Sequence, residues 1–282
     1  MSVGAGADGR DGRPLRLSMW SGPRNVSTAL MYSFRQRSDT RVVDEPLYGH
    51  YLRVSGARHP AAREVMAQME CDGGVVARSM LAGSVAAGNT GAGSTVAPGC
   101  KVGEPAERPV LFIKNMAHHL VGLDWDLLDG LTHALLIRDP HEMLPSLARV
   151  LARPTLADTG LARQCQILDY ELAAGREPVV VDARELLLDP PQVLGALCAR
   201  AGLGFEEAMQ NWPAGPKPED GCWAPHWYAN VHRSTGFAPF QPVTTSFPGE
   251  LEELLAECLP YYLRLKQYAL RPSAVADSPT LT

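Results

Sequence analysis

The chain lacks the long apolar runs, the paired cysteines and the basic excess that mark several large classes of protein. No hydrophobic run approaches the roughly 18 residues that span a bilayer. The six cysteines are scattered over 282 residues without a C-x-x-C pair, so neither a zinc site nor a disulfide framework is indicated. The formal net charge of −5 provides no field that would attract nucleic acid. We therefore predict no membrane partner, no nucleic-acid partner and no metal.

The N-terminal stretch MSVGAGADGRDGRP has no apolar core, few hydroxyl groups and several acidic residues. We expect neither a secretory signal nor an organelle transit peptide there, and hence a cytoplasmic protein. With 45% hydrophobic and 20% charged residues, the composition is that of an ordinary globular protein.

Short apolar segments alternate with helical patterns along the chain. The predicted strands are Leu15–Trp20, RVVDEP at 41–46, VLFIK at 110–114, HALLIR at 133–138 and PVVVDA at 178–183. The predicted helices are 27–37, 60–70, one that opens at Asp139-Pro140, 157–174, DPPQVLGALCARAGLGF at 189–205, and about 248–268. This alternation predicts a three-layer α/β fold with a central, mostly parallel sheet.

The domain organisation is predicted from composition. Residues 1–14 and 271–282 are expected to be a disordered leader and tail around a single domain at 15–270. The stretch at about 83–109 is rich in Gly, Ala, Ser and Pro without periodicity. It is interpreted as a flexible insertion outside the core.

The stretch LSMWSGPRNVSTALMYSFRQR, Leu17 to Arg37, is typical of a strand, a tight loop and a helix that together hold an anion. Unpaired amides at a helix N-terminus favour phosphate or sulfate. Arg24 adds a permanently charged guanidinium, and Ser27 and Thr28 add hydroxyls. The pattern G-x-x-x-x-G-K-[ST] of the usual phosphate loop is absent. A simpler interpretation is that Ser27 or Thr28 only caps the helix and that Arg24 is solvated.

A second anion site is indicated by HALLIRDPHEMLPSLARV. Arg138 ends a buried strand, and Ser146 follows eight residues later in the next helix, so both can reach one phosphate. Alternatively, Arg138 pairs with Asp139 or a helix end. Ligands of parallel sheets bind beyond the carboxyl ends of the strands. The segments expected around one crevice are the 21–28 loop, Asp44-Glu45, Lys114 to His119, Arg138-Asp139 and Asp182.

The two stretches together resemble the sulfotransferase family that uses 3′-phosphoadenosine 5′-phosphosulfate (PAPS). Its phosphosulfate loop has the form P-K-S-G-T-T, which corresponds here to the stretch from Pro23 to Thr28. Its 3′-phosphate element, R-[ND]-P with a later Ser, corresponds to Arg138-Asp139-Pro140 and Ser146. The family segment Y-E-D-L-x-x-D-P and the helix after it are similar to the stretch VVVDARELLLDPPQVLGALC. DEPLY and WAPxWY…STGF resemble the sulfotransferase-like module found beside an aminotransferase-like module in plants.

The resemblance implies the P-loop-like sulfotransferase fold, PAPS as co-substrate, no metal, and a hydroxyl or amine of a small molecule as acceptor. The residues implied to bind the co-substrate are Pro23, Arg24, Asn25, Val26, Ser27, Thr28, Arg138, Ser146, Arg233, Ser234, Thr235 and Gly236. Arg24 and Lys114 are the residues implied to neutralise the transferred group and the leaving phosphate.

Three positions depart from the family pattern. Arg24 stands where Lys is usual, Val26 stands where Gly is usual, and the K-[TS]-H motif is replaced by KNMAHH. The general base is therefore left open between Glu45 and one of His118 and His119. The histidines are adjacent, so one of the pair is expected to face the core or solvent. The alternative for Glu45 is that it only orients the loop or holds Arg24.

Two other functions compete with sulfuryl transfer. One is a nucleotide kinase or NTPase, since the strand-loop-helix start is shared. The other is a non-catalytic nucleotide-binding protein of the same fold. The aromatic residues of the loop at 211–243, with Tyr48 and Tyr51, either cover the acceptor, enclose adenine or form a separate apolar cluster; in that loop they are Trp223, His226, Trp227 and Tyr228.

Overall fold

A five-stranded parallel sheet forms the centre of the protein, in a computed structural model that describes residues 14–85, 109–242, 244 and 246–271. The strand order is β2-β3-β1-β4-β5. The strands are β1 Leu15–Ser21, β2 Thr40–Asp44, β3 Val110–Met116, β4 Thr132–Ile137 and β5 Val179–Asp182. Because all neighbouring pairs are parallel, the carboxyl ends of the strands share one edge of the sheet.

Helices cover both faces of this sheet. The helices are α1 Ser27–Arg35, α2 Tyr48–Ser55, α3 Ala62–Gln68, α4 Gly73–Ala82, α5 Pro140–Ala148, α6 Leu156–Thr159, α7 Leu161–Ala173, α8 Ala183–Leu188, α9 Pro190–Arg200, α10 Ala224–Trp227, α11 Ala229–His232 and α12 Glu252–Lys266. Successive strand side chains point to opposite faces. Leu17 and Met19 therefore enter the core beneath α1 and α9, whereas Trp20 enters the core beneath α7 and α12. Burial on both faces explains the continuous apolar strands.

The predicted fold class is confirmed, and each predicted strand lies within two residues of an observed one. The helix predicted at 157–174 is interrupted: Gly160, at φ 74°, separates α6 from α7. The sequence analysis missed α2, α4, α8 and the two short helices of the 211–243 loop, since each is short and weakly periodic. Most of the predicted leader, insertion and tail falls on residues outside the described ranges.

Within those ranges, no helix combines the length and the apolar character needed to cross a bilayer.

Candidate functional site

A cavity of about 840 Å³ lies at the carboxyl edge of the sheet. The loops that follow β1, β2, β3 and β4 all contribute to its wall, as the parallel topology requires. The predicted site residues on this wall are Pro23, Arg24, Asn25, Val26, Ser27, Thr28, Glu45, His118, His119, Arg138, Ser146, Ser234 and Gly236.

Three of the predicted site residues do not line the cavity. Lys114 is fully buried beneath it, and Arg233 and Thr235 are exposed outside it. Asp182, expected at the crevice, accepts hydrogen bonds from the Tyr262 hydroxyl at 2.9 Å and from a backbone amide of α8. Asp182 is buried and caps α8, so the expectation that it faces the crevice was wrong.

The loop between β1 and α1 is held in an unusual backbone conformation. Arg24 has φ 62° and Val26 has φ 54°, both in the left-handed region. For a β-branched residue such as Val26 this is a genuine outlier, because its Cβ crowds the following carbonyl. The place where the family has glycine is therefore a place whose backbone favours glycine. Gly22 is also required, since a Cβ there would overlap the carbonyl oxygen of Thr159.

Three arginines surround this loop and form what we call the arginine group: Arg24, Arg138 and Arg149. Arg24 Nε donates to Ser146 Oγ at 3.0 Å, and Arg138 Nη1 donates to the Arg24 carbonyl at 2.8 Å. Burial, together with the other two guanidiniums, lowers the pKa of Arg24. Among the described residues, only Glu142 forms an ion pair with the arginine group, 3.2 Å from Arg138 Nε. An anion bound here would relieve the mutual repulsion.

The start of α1 adds to this positive end of the cavity. Val26 is the N-cap residue, and no side chain makes a capping hydrogen bond. The alternative that Ser27 or Thr28 merely caps the helix is therefore not what the structure shows. Asn25 Nδ2 donates to the Leu136 carbonyl of β4 at 3.0 Å, while its buried Oδ1 has no hydrogen-bond partner among the described residues. Unpaired amides in the first turn remain available to an anion.

A buried ion cluster forms the base of the cavity. The Lys114 ammonium donates to Asp44 Oδ1 at 2.7 Å, to Glu45 Oε1 at 2.5 Å and to the Tyr228 hydroxyl at 2.7 Å. Tyr228 in turn donates to Asp44 Oδ2 at 2.7 Å and accepts from Trp223 Nε1 at 3.1 Å. An ammonium has three protons, so all of its donors are used. Lys114 is not free to contact a bound group directly.

Two buried carboxylates share this one ammonium. Although burial opposes the charged form, Asp44 and Glu45 raise the pKa of Lys114. Burial raises the pKa of Asp44 to about 6, with Lys114 opposing the shift and Glu45 adding to it. Glu45, at φ 44°, turns its second oxygen towards His119 Nδ1, 3.9 Å away. Of the two carboxylates, only Glu45 reaches the cavity wall.

His118 and His119 both line the cavity, which differs from the expectation that one would face away. They lie in a tight 3-10 turn, Ala117–His119, rather than in an extended strand, so their ring centroids are only 4.5 Å apart. His119 is stacked between Tyr48 at 4.7 Å and Tyr51 at 4.6 Å. Burial lowers the pKa of His118 to about 4 and that of His119 well below its usual value, so both are neutral at pH 7. The Nδ1 atoms of both are buried without a partner in the part of the chain that the structure describes.

The remaining wall is aromatic and includes residues that sequence reasoning missed. Tyr48, Trp223 and Trp227 line the cavity, and Tyr48 packs edge-on against Trp223 at 5.2 Å. Of the predicted aromatic set, these three residues and Tyr228 belong to both an apolar cluster and the cavity wall, whereas Tyr51 belongs to the cluster alone and His226 is exposed outside both. The missed wall residues are Arg58, His59, Arg149 and Asp158. Only Arg149, one turn beyond Ser146 on the same chain segment, had a signal in the sequence.

Val26 provides a test of the strained loop. We expect the Val26→Gly variant to be about 1–2 kcal/mol more stable than Val26→Ala, because both lose the same packing but only glycine escapes the left-handed penalty. Urea unfolding of the two variants measures the difference. Equal stabilities would contradict the left-handed conformation at this residue.

Lys114 provides a test of the buried ion cluster. We expect Lys114→Met to lower the free energy of unfolding by about 3–5 kcal/mol, since it leaves two buried carboxylates without a counter-charge. Without Lys114 the pKa of Asp44, already raised by burial, rises further, so the folded state binds a proton more tightly than the unfolded state. The deficit should shrink as the pH falls from 8 to 5, and it should be smaller when Asp44→Asn is added. A deficit that is independent of pH would contradict this explanation.

A family model and two solved structures are similar to this chain. The family model described as "Sulfotransferase domain" matches residues 15–269. One similar solved structure is the sulfotransferase domain from the Synechococcus PCC 7002 olefin synthase, with a TM-score of 0.49 and 18% identity; the match covers 88% of this chain and 96% of that one. Another is the sulfotransferase domain from the curacin biosynthetic pathway, with a TM-score of 0.43 and 14% identity; the match covers 88% of this chain and 98% of that one.

Two curated relatives come from Arabidopsis thaliana. Branched-chain-amino-acid aminotransferase-like protein 1 is 38% identical over 267 residues, which are 94% of this chain and 44% of that protein. Branched-chain-amino-acid aminotransferase-like protein 2 is 35% identical over 260 residues, which are 92% of this chain and 43% of that protein. The chain thus spans less than half the length of these relatives. The resemblance inferred from the sequence motifs is confirmed, and the chain belongs to the sulfotransferase domain family.

Proposed function

We propose that this protein transfers a sulfuryl group from PAPS to a hydroxyl or amine of a small molecule. The observation that carries the proposal is that one cavity combines a positively charged end with a carboxylate on its wall. The arginine group and the uncapped start of α1 suit a phosphosulfate, and Glu45 presents a carboxylate on the same wall. Sulfuryl transfer needs charge stabilisation, a fixed donor and a base, by analogy with phosphoryl transfer.

The wall residues fit the co-substrate chemically. Arg24 and the amides at residues 25–28 would hold the phosphosulfate end. Arg138 and Ser146 would hold the 3′-phosphate, helped by Ser234, whose hydroxyl is kept in place by Trp212 Nε1 at 3.1 Å. Planar guanidiniums match phosphate oxygens in a two-point contact. Arg233 and Thr235, both exposed next to Ser234, would join only if their loop turned inward.

Glu45 is the general base in this proposal. Lys114 holds one of its oxygens, which leaves Oε2 without a hydrogen bond from any described residue. A hydroxyl acceptor that approached Oε2 could give its proton there while its oxygen bonds to sulfur. His118 is a weaker candidate, because burial lowers its pKa to about 4. Lys114 then acts by positioning Glu45, and the direct contact with the transferred group implied by the family resemblance is not part of the proposal.

Binding of 3′,5′-ADP without magnesium tests the co-substrate. We expect 3′,5′-ADP to bind more tightly than 5′-AMP, and Arg138→Ala to weaken 3′,5′-ADP by about 1.5–3 kcal/mol, as a charged hydrogen bond would. Calorimetry gives both affinities. Arg200→Ala, which removes an exposed guanidinium on α9 paired with Glu177, is the matched control. A requirement for magnesium, or indifference to the 3′-phosphate, would favour a kinase or scaffold instead.

Substitution of Glu45 tests the base. We expect Glu45→Gln to lower kcat by about 10²–10⁴, the usual contribution of general-base catalysis, while 3′,5′-ADP still binds. The side chains are nearly isosteric, and the amide oxygen can still accept from Lys114. His118→Gln is the comparison. Loss of turnover in His118→Gln with turnover retained in Glu45→Gln would assign the base to the histidine.

A further inference from the structure

The charges on the cavity wall fall into two separate groups. The arginine group lies at the β1–α1 loop, where the guanidiniums of Arg138 and Arg149 both act on Arg24. Glu45 and Asp158 lie at the histidine pair, where both act on His59 and on His118. The backbone explains this proximity: Gly160, two residues after Asp158, lies against Ala117 and the His118 amide. We call Glu45 and Asp158 the carboxylate group.

The negative charge of the carboxylate group is not cancelled by its neighbours. Burial lowers the pKa of His59, as it does those of His118 and His119, so these rings carry no charge at pH 7. Among the described residues of the cavity wall, Arg58 is the one cation outside the arginine group, and it is exposed, so that water screens its charge. Glu45 is already paired with Lys114, but Lys114 is shared with Asp44.

One carboxylate oxygen of Asp158 is available to pair with a ligand. Its Oδ2 accepts from the Thr155 amide at 2.8 Å and from Thr155 Oγ1 at 2.7 Å, as part of a capping box. Its Oδ1 accepts no hydrogen bond from any described residue, and the residue is half-buried on the wall. A charged ligand group could therefore pair with Oδ1 without disturbing the cap of α6.

Aromatic faces and an orphaned nitrogen complete the surroundings. Tyr48, Trp223 and Trp227 are on the wall, and rings of this kind attract ammonium groups. His119 is 2% exposed, and its Nδ1 has no partner among the described residues. That atom lies 3.9 Å from Glu45 Oε2, so a single hydroxyl between the two could hydrogen-bond to both. Part of the wall is thus unsatisfied without a polar ligand.

We infer that the acceptor is a hydroxylated organic amine whose ammonium group pairs with Asp158 and the aromatic wall while its hydroxyl reaches Glu45. This inference rests on the proposed function. In the transfer, the acceptor oxygen forms a bond to sulfur, and the bond between sulfur and the bridging phosphate oxygen breaks. The hydroxyl proton goes to Glu45, and 3′,5′-ADP keeps the bond electrons. The ammonium group takes no part in the chemistry and serves recognition.

Three phenols of nearly equal size test the charge preference. Tyramine carries an ammonium, para-propylphenol replaces it with a methyl group, and para-hydroxyphenylpropanoate carries a carboxylate. We expect tyramine to bind the complex of the protein with 3′,5′-ADP at least about tenfold more tightly than propylphenol, the factor of one modest charged contact. The propanoate should bind most weakly. Calorimetry on the complex measures all three, and the ratios of kcat/KM with PAPS give a second readout.

Asp158→Asn should reduce the preference for tyramine over propylphenol by about tenfold, because the amide keeps the capping geometry but removes the charge. Asp72→Asn is the control: Asp72 is also a helix-capping carboxylate, here as the N-cap residue of α4 that accepts from the Val75 amide, and it does not line the cavity. Equal binding of the three phenols, stronger binding of the propanoate, or no binding of tyramine would overturn the inference. Failure of 3′,5′-ADP to bind at all would instead overturn the proposed function.

Discussion

The Lys114 ammonium, wholly buried among two carboxylates and a phenol, joins three parts of the chain that are far apart in sequence. Asp44 and Glu45 come from the end of β2, Lys114 from β3, and Tyr228 from the loop that covers the cavity. An unpaired charge at this depth would be costly, so each partner has to stay where it is. The orientation of Glu45 and the closure of the 223–237 loop thus depend on one cation.

This ion cluster connects Glu45 on the cavity wall to the loop that carries Ser234 and Gly236. Tyr228 is in the same loop as Ser234 and Gly236, which also line the cavity. A change that loosened the ion cluster would therefore disturb both halves of the site. The cluster also explains why a lysine on a buried strand is tolerated: all three of its protons are donated within the protein, and hydrogen-bonded buried charges are the ones that proteins retain.

Backbone strain is concentrated at the same edge of the sheet. Of the four residues other than glycine with positive φ in the described ranges, Arg24, Val26 and Glu45 line the cavity. Such conformations persist only where the surroundings enforce them, and they are common at functional sites. Here the Asn25 amide, the Gly22 packing contact and the Lys114 cluster supply that enforcement. The strain fixes where the Arg24 and Glu45 side chains point.

Local patterns in the sequence were enough to determine the strands, the α/β class and the two anion motifs, because apolar periodicity and the spacing of Arg138 and Ser146 are properties of short segments. Tertiary structure alone decided which polar groups face the cavity. In the folded protein Lys114 is buried and Asp182 lies off the cavity wall, whereas both histidines and Asp158 line it. These outcomes depend on contacts between residues tens to more than a hundred positions apart, such as Lys114 with Tyr228. No short sequence pattern specifies whether a charged side chain is paired inside the protein or faces the cavity.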